Sequence, residues 1–221
     1  GMVGHEDESG DSDTLINRIK SYLYHKGEYH PENELSFAPA LCNRIDRNTC
    51  GIVIAAKNAE SLRILNQKIR DRELTKLYLC IACGKVTPDS ATLTAYLEKN
   101  SDTNTVKISD KKTKSNLTIK TKYKVIAYNG ENSLLKVDLL TGRTHQIRAH
   151  LAYIGHALLG DGKYGNNKLN KKYGFKYQAL CSYELQFKFT TDAGCLSYLD
   201  GKCFKAKAPD FVKMFGSNIK L

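Results

Sequence analysis

A ten-residue polar segment set between apolar runs constrains this chain more than any other feature. Residues 141–150 read TGRTHQIRAH, and five of these ten residues are Arg, His or Gln. Leucine-containing apolar stretches at 134–140 and 151–159 enclose the segment. Because buried donors need hydrogen-bond partners, the segment is expected to hold cationic and polar side chains against a core. We interpret it as an electrostatic site built on a rigid element.

The same segment predicts the beginning of a helix. Thr144 is the expected N-cap, and Gly155 fits the end of the helix. Ile147, Leu151 and Ile154 then share one face, at the spacing i, i+4 and i+7. The two arginines of the segment fall at the start of this helix and one turn inside it, where both could face an anion.

Charge and cysteine content narrow the class of partner and the compartment. The net charge is +11, and residues 1–13 hold five acidic side chains and no Lys or Arg. The rest of the chain is therefore more basic still, which favours a polyanion, although a lysine-rich soluble surface explains it equally well. The seven cysteines are scattered, and the Cys80–Cys83 pair has no second cysteine pair at the spacing of a zinc site. This indicates reduced thiols and a cytoplasmic protein. No apolar run is long enough to span a membrane.

Hydrophobic periodicity predicts a mixed α+β class with an extensive, mostly antiparallel sheet and few helices. Residues 1–12 are expected to be flexible, and residues 13–221 to form a single domain. Two helices are predicted before the polar segment, one capped by Asp13 and reaching Tyr24, the other capped by Asn58 and reaching Arg70. Strands are predicted at 52–56, 77–83, 92–98, 105–109, 117–127, 134–140, 179–190 and 195–200.

A second polar cluster, NRIDRNTCG, covers residues 43–51 and precedes the predicted strand at 52–56. Asp46 lies between Arg44 and Arg47, and neighbouring cations favour the ionised carboxylate. Such an aspartate could act as a nucleophile or base, or it could simply be tied up by arginine in a turn. Arg143 or Arg148 could complete an ion pair with Asp46. Because burying such a pair costs desolvation, function is a reasonable explanation for keeping one.

These two clusters and a third segment resemble the ordered motifs of one family. NRIDRNTCG, KLYLCIACGK at 76–85 and TGRTHQIRAHLAYIGHALLGDGKYG at 141–165 are similar to the HRLDxxTSG, KxY and TGRTHQIRxHLxxxGHPxxGDxxYG motifs of RluA-type RNA pseudouridine synthases. The resemblance covers roughly residues 35–210. It implies the pseudouridine synthase fold, a central mixed sheet with flanking helices and an RNA-binding cleft, with 13–221 as the catalytic domain.

The resemblance also implies roles for individual residues. Asp46 matches the catalytic aspartate that attacks the ribose or the uracil ring, so that the base can rotate and rejoin through carbon 5. Tyr78 matches the tyrosine that stacks on the uracil and is a candidate for removing the carbon-5 proton. Arg148 matches the arginine that pairs with the aspartate, Arg44 the one that fills the space left by the flipped nucleotide, and Leu180 a residue lining the base pocket.

Further RNA-binding candidates come from the matched motifs and their neighbours. They are Arg47, Lys76, Arg143, His145 and Gln146. The lysine-rich stretch at 107–124, with seven Lys and one Asp, is interpreted as a solvated strand pair that could also touch phosphates.

The chain departs from the family pattern at three matched positions and upstream. Asn43 stands in place of His, Cys50 in place of Ser, and Ala157 in place of Pro. The family's NKPxGxxVH segment is represented only by its end, near Gly4 and His5. The catalytic domain is therefore expected to be N-terminally shortened.

The sequence predicts a uridine isomerase of structured RNA, acting on ribosomal RNA ahead of transfer RNA. It is expected to be a monomer without cofactor, metal or membrane association. The alternative is an RNA-binding module that has lost catalysis. A metal-dependent hydrolase is a third possibility, using His145, His150, His156 and Asp161 as ligands, but residues 145 and 150 are about 140° apart on a helix. The histidines are instead expected to make structural hydrogen bonds.

Overall fold

The computed structural model describes residues 13–33, 37–100 and 102–221. Of these residues, 13–33, 37–48, 52–75 and 185–204 form one compact unit, and 49–51, 76–100, 102–184 and 205–221 form a second. The expected flexible N-terminus at 1–12 lies outside the described residues, and the single domain at 13–221 stays a prediction. Across the described ranges, no helix is both long enough and apolar enough to cross a membrane.

Two helices dominate the first unit. Helix α1 spans Leu15–His25 and begins at Thr14, whose side chain accepts a hydrogen bond from the Asn17 N–H. The predicted cap at Asp13 is wrong, because that carboxylate instead forms a bidentate pair with Arg18 at 2.6 Å. Helix α2 spans Ala59–Arg70, and its predicted N-cap, Asn58, is confirmed.

The predicted strand at 52–56 is shorter in the structure. Strand β1 (Ala40–Leu41) pairs antiparallel with β3, which contains only Ala55–Ala56. Immediately before β3, the Ile54 N–H donates to the Asn43 side chain and the Ile54 carbonyl accepts from the Cys42 N–H. Because the Ile54 N–H is bonded to the Asn43 side chain and not to a backbone carbonyl of β1, the hydrogen bonds between β1 and β3 do not continue back to Ile52.

A buried ion pair fixes the end of α2 in the first unit. Lys68 and Glu73 are 2% and 4% exposed, and their charged atoms are 2.7 Å apart. The Lys68 ammonium also donates to the carbonyl and hydroxyl oxygens of Thr191, at 2.6 and 2.7 Å. Hydrogen bonding from Lys68, joined by the hydroxyls of Thr190 and Thr191, lowers the pKa of Glu73 to about 2 against the opposing effect of burial.

Replacing Glu73 with Gln is expected to lower Tm by several degrees at neutral pH, because Lys68 would keep a buried charge without its carboxylate partner. The stabilisation from a lowered carboxyl pKa is present above the unfolded value and is lost as pH falls toward the folded value, about 2. The variant should therefore lose part of the wild-type acid dependence. Thermal melts across acidic pH test this, with Asp210→Asn in an exposed pair as the control that changes little. Equal shifts in the two variants would contradict it.

One large mixed sheet carries the other strands. In spatial order they are β10 (Cys203–Lys205), β9 (Leu180–Phe187), β4 (Leu74–Cys83), β8 (Asn132–Leu139), β7 (Leu117–Tyr128), β5 (Ser90–Asn100) and β6 (Thr105–Ser109), and β2 (Cys50–Gly51) pairs with β9. The pairs β4–β8, β8–β7, β7–β5 and β5–β6 are antiparallel, whereas β2–β9 is parallel. The predicted mixed, mostly antiparallel sheet with few helices is confirmed.

Helix α3 (Gln146–Tyr153) packs on one face of this sheet in the second unit. The predicted apolar face is confirmed, since Ile147 and Leu151 are buried and Ile154 packs beside them. The predicted cap at Thr144 is wrong, because the N-cap is His145, in a left-handed conformation and without a capping side-chain bond.

Short helices complete the two units. Helix α4 spans Asn167–Lys172, and 3-10 helices cover Gly194–Leu199 and Asp210–Phe215. The predicted strand at 195–200 is therefore wrong. Local hydrogen bonds explain the difference, because Asp192 accepts from the Gly194 N–H and the Ser197 hydroxyl donates to the Gly194 carbonyl.

Candidate active site

The Gln146 side chain fixes the turn that leads into α3. Its amide oxygen accepts from the Thr141 hydroxyl at 2.9 Å and from the Arg143 N–H at 3.1 Å. Its amide nitrogen donates to the Lys120 carbonyl and the Thr121 hydroxyl on β7, at 3.1 and 3.0 Å. Gln146 was predicted to bind RNA, but it is 2% exposed, and these hydrogen bonds give its side chain a role in fixing the turn. Arg143 is exposed.

A buried salt bridge holds Arg148, one turn inside α3. The guanidinium donates through Nε and Nη2 to the two carboxylate oxygens of Asp161, at 2.7 and 3.0 Å. Arg148 is 5% exposed and Asp161 fully buried. Bidentate pairing sets the plane of the guanidinium as well as its position. Arg148 is thus a rigid cation, placed by a residue that sequence reasoning considered only as a metal ligand.

The charge of Asp161 is supported by more than Arg148. Burial acts to raise the pKa of this carboxyl, but the hydrogen bond and charge of Arg148 and the N–H groups of Tyr164 and Lys163 outweigh it, so the pKa lies below its usual value. Both N–H groups donate to the same oxygen, at 3.0 and 2.8 Å. Asp161 therefore stays ionised at neutral pH and keeps Arg148 paired.

Tyr164 ties this ion pair to the edge of the sheet. Its ring centroid lies 5.4 Å from the guanidinium carbon of Arg148. Its hydroxyl is 2.9 Å from His145 Nδ1 and accepts from the Val106 N–H on β6, also at 2.9 Å. Strand β6, the N-cap of α3 and the 161–165 loop thus form one connected network around Arg148.

The other histidines also make structural hydrogen bonds, as predicted. His150 Nδ1 lies 2.9 Å from the Thr121 hydroxyl, and burial lowers the pKa of His150 to about 4, so it is neutral at neutral pH. His156 Nδ1 lies 3.0 Å from the Cys83 carbonyl. Within the described ranges, no group of three or more His, Cys, Asp or Glu side chains could hold a metal ion.

Tyr78 and Leu180 belong to one apolar cluster beneath α3. They are 6% and 5% exposed and share this cluster with Ile147. Tyr78 lies opposite Val137 in the β4–β8 register. Lys76 is half-buried two residues earlier on β4, hence on the same face as Tyr78. The structure thus brings two of the predicted base-contact residues together in one cluster with Ile147, the residue that precedes Arg148 in sequence.

Asp46 and its two neighbouring arginines lie in the first compact unit, whereas residues 49–51 of the same motif belong to the second. Asp46 is half-buried in a loop, with Arg44 and Arg47 exposed on either side. A turn follows, in which Asn48 adopts a left-handed backbone with φ 68°. Asp46 and Arg148 belong to different units, and their ion pair stays a prediction.

The lysine-rich stretch is solvated, as expected, but three of its lysines point away from Tyr78. All seven lysines of 107–124 are exposed. On β7, Lys120, Lys122 and Lys124 alternate with the buried residues Thr121 and Tyr123. Tyr123 on β7 is the register partner of Val137 on β8, and Val137 is the register partner of Tyr78 on β4, so these three side chains share one face of the sheet. Because alternate residues of a strand face opposite sides, these three lysines lie on the face opposite Tyr78.

Comparison with known proteins identifies the family. The family model described as RNA pseudouridylate synthase matches residues 6–153. Ribosomal large subunit pseudouridine synthase D of Borreliella burgdorferi is 33% identical over 166 residues, covering 75% of this chain and 49% of that protein. The mitochondrial tRNA pseudouridine(32) synthase of Saccharomyces cerevisiae is 33% identical over 142 residues, covering 62% of this chain and 30% of that protein.

A solved structure agrees with the fold. Human RNA pseudouridylate synthase domain containing 4 superimposes with a TM-score of 0.70 at 18% identity, over 96% of this chain and 90% of that one. The chain spans about half the length of the first curated relatives it matches. Together with the motifs around Asp46, Tyr78 and Arg148, the family match leads to one conclusion: the chain belongs to the RluA-type RNA pseudouridylate synthase family.

Proposed function

We propose that this chain isomerises specific uridines of structured RNA to pseudouridine, with Asp46 as the catalytic residue. Family membership supports the reaction class. The observation that carries the proposal is the buried Arg148–Asp161 pair, which fixes the position of a guanidinium. The residue before Arg148 is Ile147, which packs in one cluster with Tyr78 and Leu180. Holding a guanidinium in this way costs desolvation and is weak evidence for stability alone, so a functional role explains it better.

Substrate access requires that the target nucleotide leave its stack. Extruding a base costs about a few kcal/mol, and an exposed cation such as Arg44 can offset part of this cost by entering the gap. The flat uracil would then lie against the aromatic face of Tyr78, with Leu180 beside it. Both side chains are held in place by the cluster beneath α3.

The chemistry breaks one bond and forms another within a single nucleoside. Asp46 attacks either the ribose anomeric carbon or the uracil ring, and the bond between nitrogen 1 and the ribose breaks. The base rotates, carbon 5 bonds to the ribose carbon, and the carbon-5 proton leaves, with the Tyr78 hydroxyl as candidate acceptor. An aspartate nucleophile must be ionised, and we propose that Arg148 supplies the guanidinium that favours that state. The isomerisation is redox-neutral and is proposed to need no cofactor or metal.

Ribosomal RNA is the substrate we propose ahead of transfer RNA. The Borreliella burgdorferi relative is named for the ribosomal large subunit, whereas the yeast relative is named for tRNA. We also propose a cytoplasmic monomer. The thiols, all free in the structure, support a reducing compartment.

Chemical mapping of pseudouridine tests this proposal. Purified protein is incubated with unmodified ribosomal RNA and, separately, transfer RNA, and each position is mapped with a pseudouridine-specific carbodiimide. We expect new pseudouridine at one or a few ribosomal positions, and none with Asp46→Ala. New pseudouridine only in tRNA would show that transfer RNA, and not ribosomal RNA, is the substrate. Identical maps for both proteins, with RNA binding retained, would indicate a binding module without catalysis.

Replacing Arg143 with Gln is expected to weaken RNA binding and to reduce the slope of log affinity against log salt by about 1, because one phosphate contact is lost. Lys122→Gln is the matched control. Lys122 is also exposed, but it lies on the sheet face opposite Tyr78, so its slope should equal that of the wild type. Salt titrations of RNA affinity measure both, and a larger effect of Lys122→Gln would contradict this view of the binding face.

A further inference from the structure

Two cysteines face each other across the parallel pair of strands β2 and β9, within the second unit. In the β2–β9 pairing, Cys50 lies opposite Cys181 and Gly51 lies opposite Ser182. Neighbouring strands are about 4.8 Å apart, and disulfides join residues whose Cα atoms are about 4.4–6.8 Å apart. Register partners also point to the same side of a sheet. The backbone therefore places this pair within reach of a covalent link.

Backbone contacts hold the two strands close at this point. Gly51 has φ +106°, and a Cβ added there would lie 2.1 Å from the Ser182 carbonyl oxygen. Only glycine permits this approach. The Cys50 sulfur lies 3.7 Å from the carbonyl oxygen of Leu180 on β9. Thus both the backbone and the sulfur of the Cys50 segment rest against the strand that carries Cys181.

The two thiols differ in exposure and acidity. Cys50 is exposed, whereas Cys181 is 1% exposed. A hydrogen bond from the Cys181 thiol lowers the pKa of Cys50 to about 7, and the same interaction, with burial, raises the pKa of Cys181. Because the thiolate is the reactive form of cysteine, Cys50 is the accessible nucleophile and Cys181 the partner held behind it.

Other cysteines lack this combination. Burial raises the pKa of Cys42 to about 11, and it also raises the pKa of Cys80, which is fully buried. Cys195 and Cys203 are exposed like Cys50. They serve as internal references for the accessibility of a thiol to reagent.

We propose that Cys50 and Cys181 form a redox-active dithiol, which a low-molecular-weight disulfide such as glutathione disulfide oxidises to an intramolecular disulfide. The Cys50 thiolate attacks one sulfur of the oxidant and expels one thiolate, which leaves a mixed disulfide on Cys50. Cys181 then gives up its proton, attacks the Cys50 sulfur and expels the second thiolate. The cysteine pair loses two electrons and two protons, and the oxidant becomes two thiols.

This link would form beside the base pocket. Leu180, the candidate pocket residue, immediately precedes Cys181, and Cys50 follows Asp46 by four positions. A disulfide would fix β2 to β9 at that point. Its effect on RNA isomerisation rests on the proposed function, whereas the thiol chemistry does not, so the two are measured separately.

Peptide mass spectrometry tests the proposal on the full chain. Reduced protein is exposed to glutathione disulfide at neutral pH, quenched with an alkylating agent and digested without reductant. We expect a cross-linked peptide pair containing Cys50 and Cys181. In Cys181→Ala the reaction should stop at glutathione on Cys50, and Cys195→Ser should behave as the wild type. Absence of the cross-linked pair in the wild type, or a mixed disulfide on Cys50 that persists there, would overturn the proposal.

The pH dependence of alkylation gives a second, independent readout. Cys50 should be alkylated several-fold faster than Cys195 and Cys203 at neutral pH, with a half-maximal rate at a pH below the value of about 8.5 for an ordinary thiol. Removal of the donor in Cys181→Ala should move this midpoint upward, toward an ordinary thiol at about 8.5. Equal rates at all three exposed cysteines of the wild type would show that no activated thiol exists, whatever the outcome of RNA assays.

Discussion

Asp46→Asn is expected to lower the rate of pseudouridine formation by more than about 10⁴-fold, because removing a nucleophile costs more than removing one general acid or base. Asparagine keeps the size of the side chain but has neither the charge nor the nucleophilic oxygen. RNA affinity should change little, since the exposed arginines at 44 and 47 remain. Single-turnover kinetics and an RNA-binding assay on the same preparation measure the two effects.

An exposed aspartate of the same unit supplies the control for Asp46. Asp71 follows helix α2, where its carboxylate accepts from the Gln67 side chain. Asp71→Asn should leave both rate and affinity at wild-type values. If Asp46→Asn retained a rate within about tenfold of the wild type, a loss too small for an essential nucleophile, Asp46 would not be the catalytic residue.

Asp161→Asn has the second large expected effect, on stability and on activity together. The variant removes the buried carboxylate that pairs with the Arg148 guanidinium, and breaking a buried pair from one side costs about 3–5 kcal/mol. Arg148 would also lose the geometry that bidentate pairing imposes. We expect a lower denaturant midpoint with an unchanged m-value, and slower pseudouridine formation where the variant is still folded.

A double variant separates the two effects of Asp161. In Arg148→Met with Asp161→Leu no charge stays buried, so much of the lost stability should return. Activity should not return, because the fixed guanidinium that we propose keeps Asp46 ionised is gone. Recovery of both stability and activity would show that the ion pair is only structural.

Acid titration tests the expected contribution of ionised Asp161 to the free energy of unfolding. The pKa of this carboxyl is lowered in the fold, so its contribution to stability is fully present above the unfolded value of about 3.9 and is lost as pH falls through the lower folded value. The wild type should therefore lose stability in acid more steeply than Asp161→Asn. Parallel curves would contradict this assignment.

Local patterns predicted the elements well where side-chain periodicity decides them. The spacing of Ile147, Leu151 and Ile154 identifies the side of α3 that packs in the apolar cluster with Tyr78, although residues 146–151 are all buried. The Asn58 cap of α2 is likewise a local hydrogen bond. The resemblance to the family motifs also predicted the fold, which is confirmed, and named the candidate site residues, whose roles stay predictions.

Features that depend on contacts distant in sequence were not predicted. Thr144 has the right chemistry for a cap, but Gln146 ties the turn to β7 instead, through atoms of Lys120 and Thr121. Asp161 lies 13 residues from Arg148, and nothing local marks it as the partner. Asp161 does belong to the GDGKYG end of the third motif. Pairing the acidic and basic residues within that motif would have suggested it as the partner of Arg148.

Release of tritium from RNA labelled at carbon 5 of uracil tests whether the chain isomerises uridine through Asp46, because pseudouridine formation must expel that hydrogen. Purified protein is mixed with labelled ribosomal RNA, and released tritium is counted against pseudouridine at the mapped position. We expect one tritium released per pseudouridine formed by the wild type, and no release by Asp46→Asn. Release at equal rates by both proteins, or none by wild-type protein that binds labelled ribosomal and transfer RNA, would contradict it.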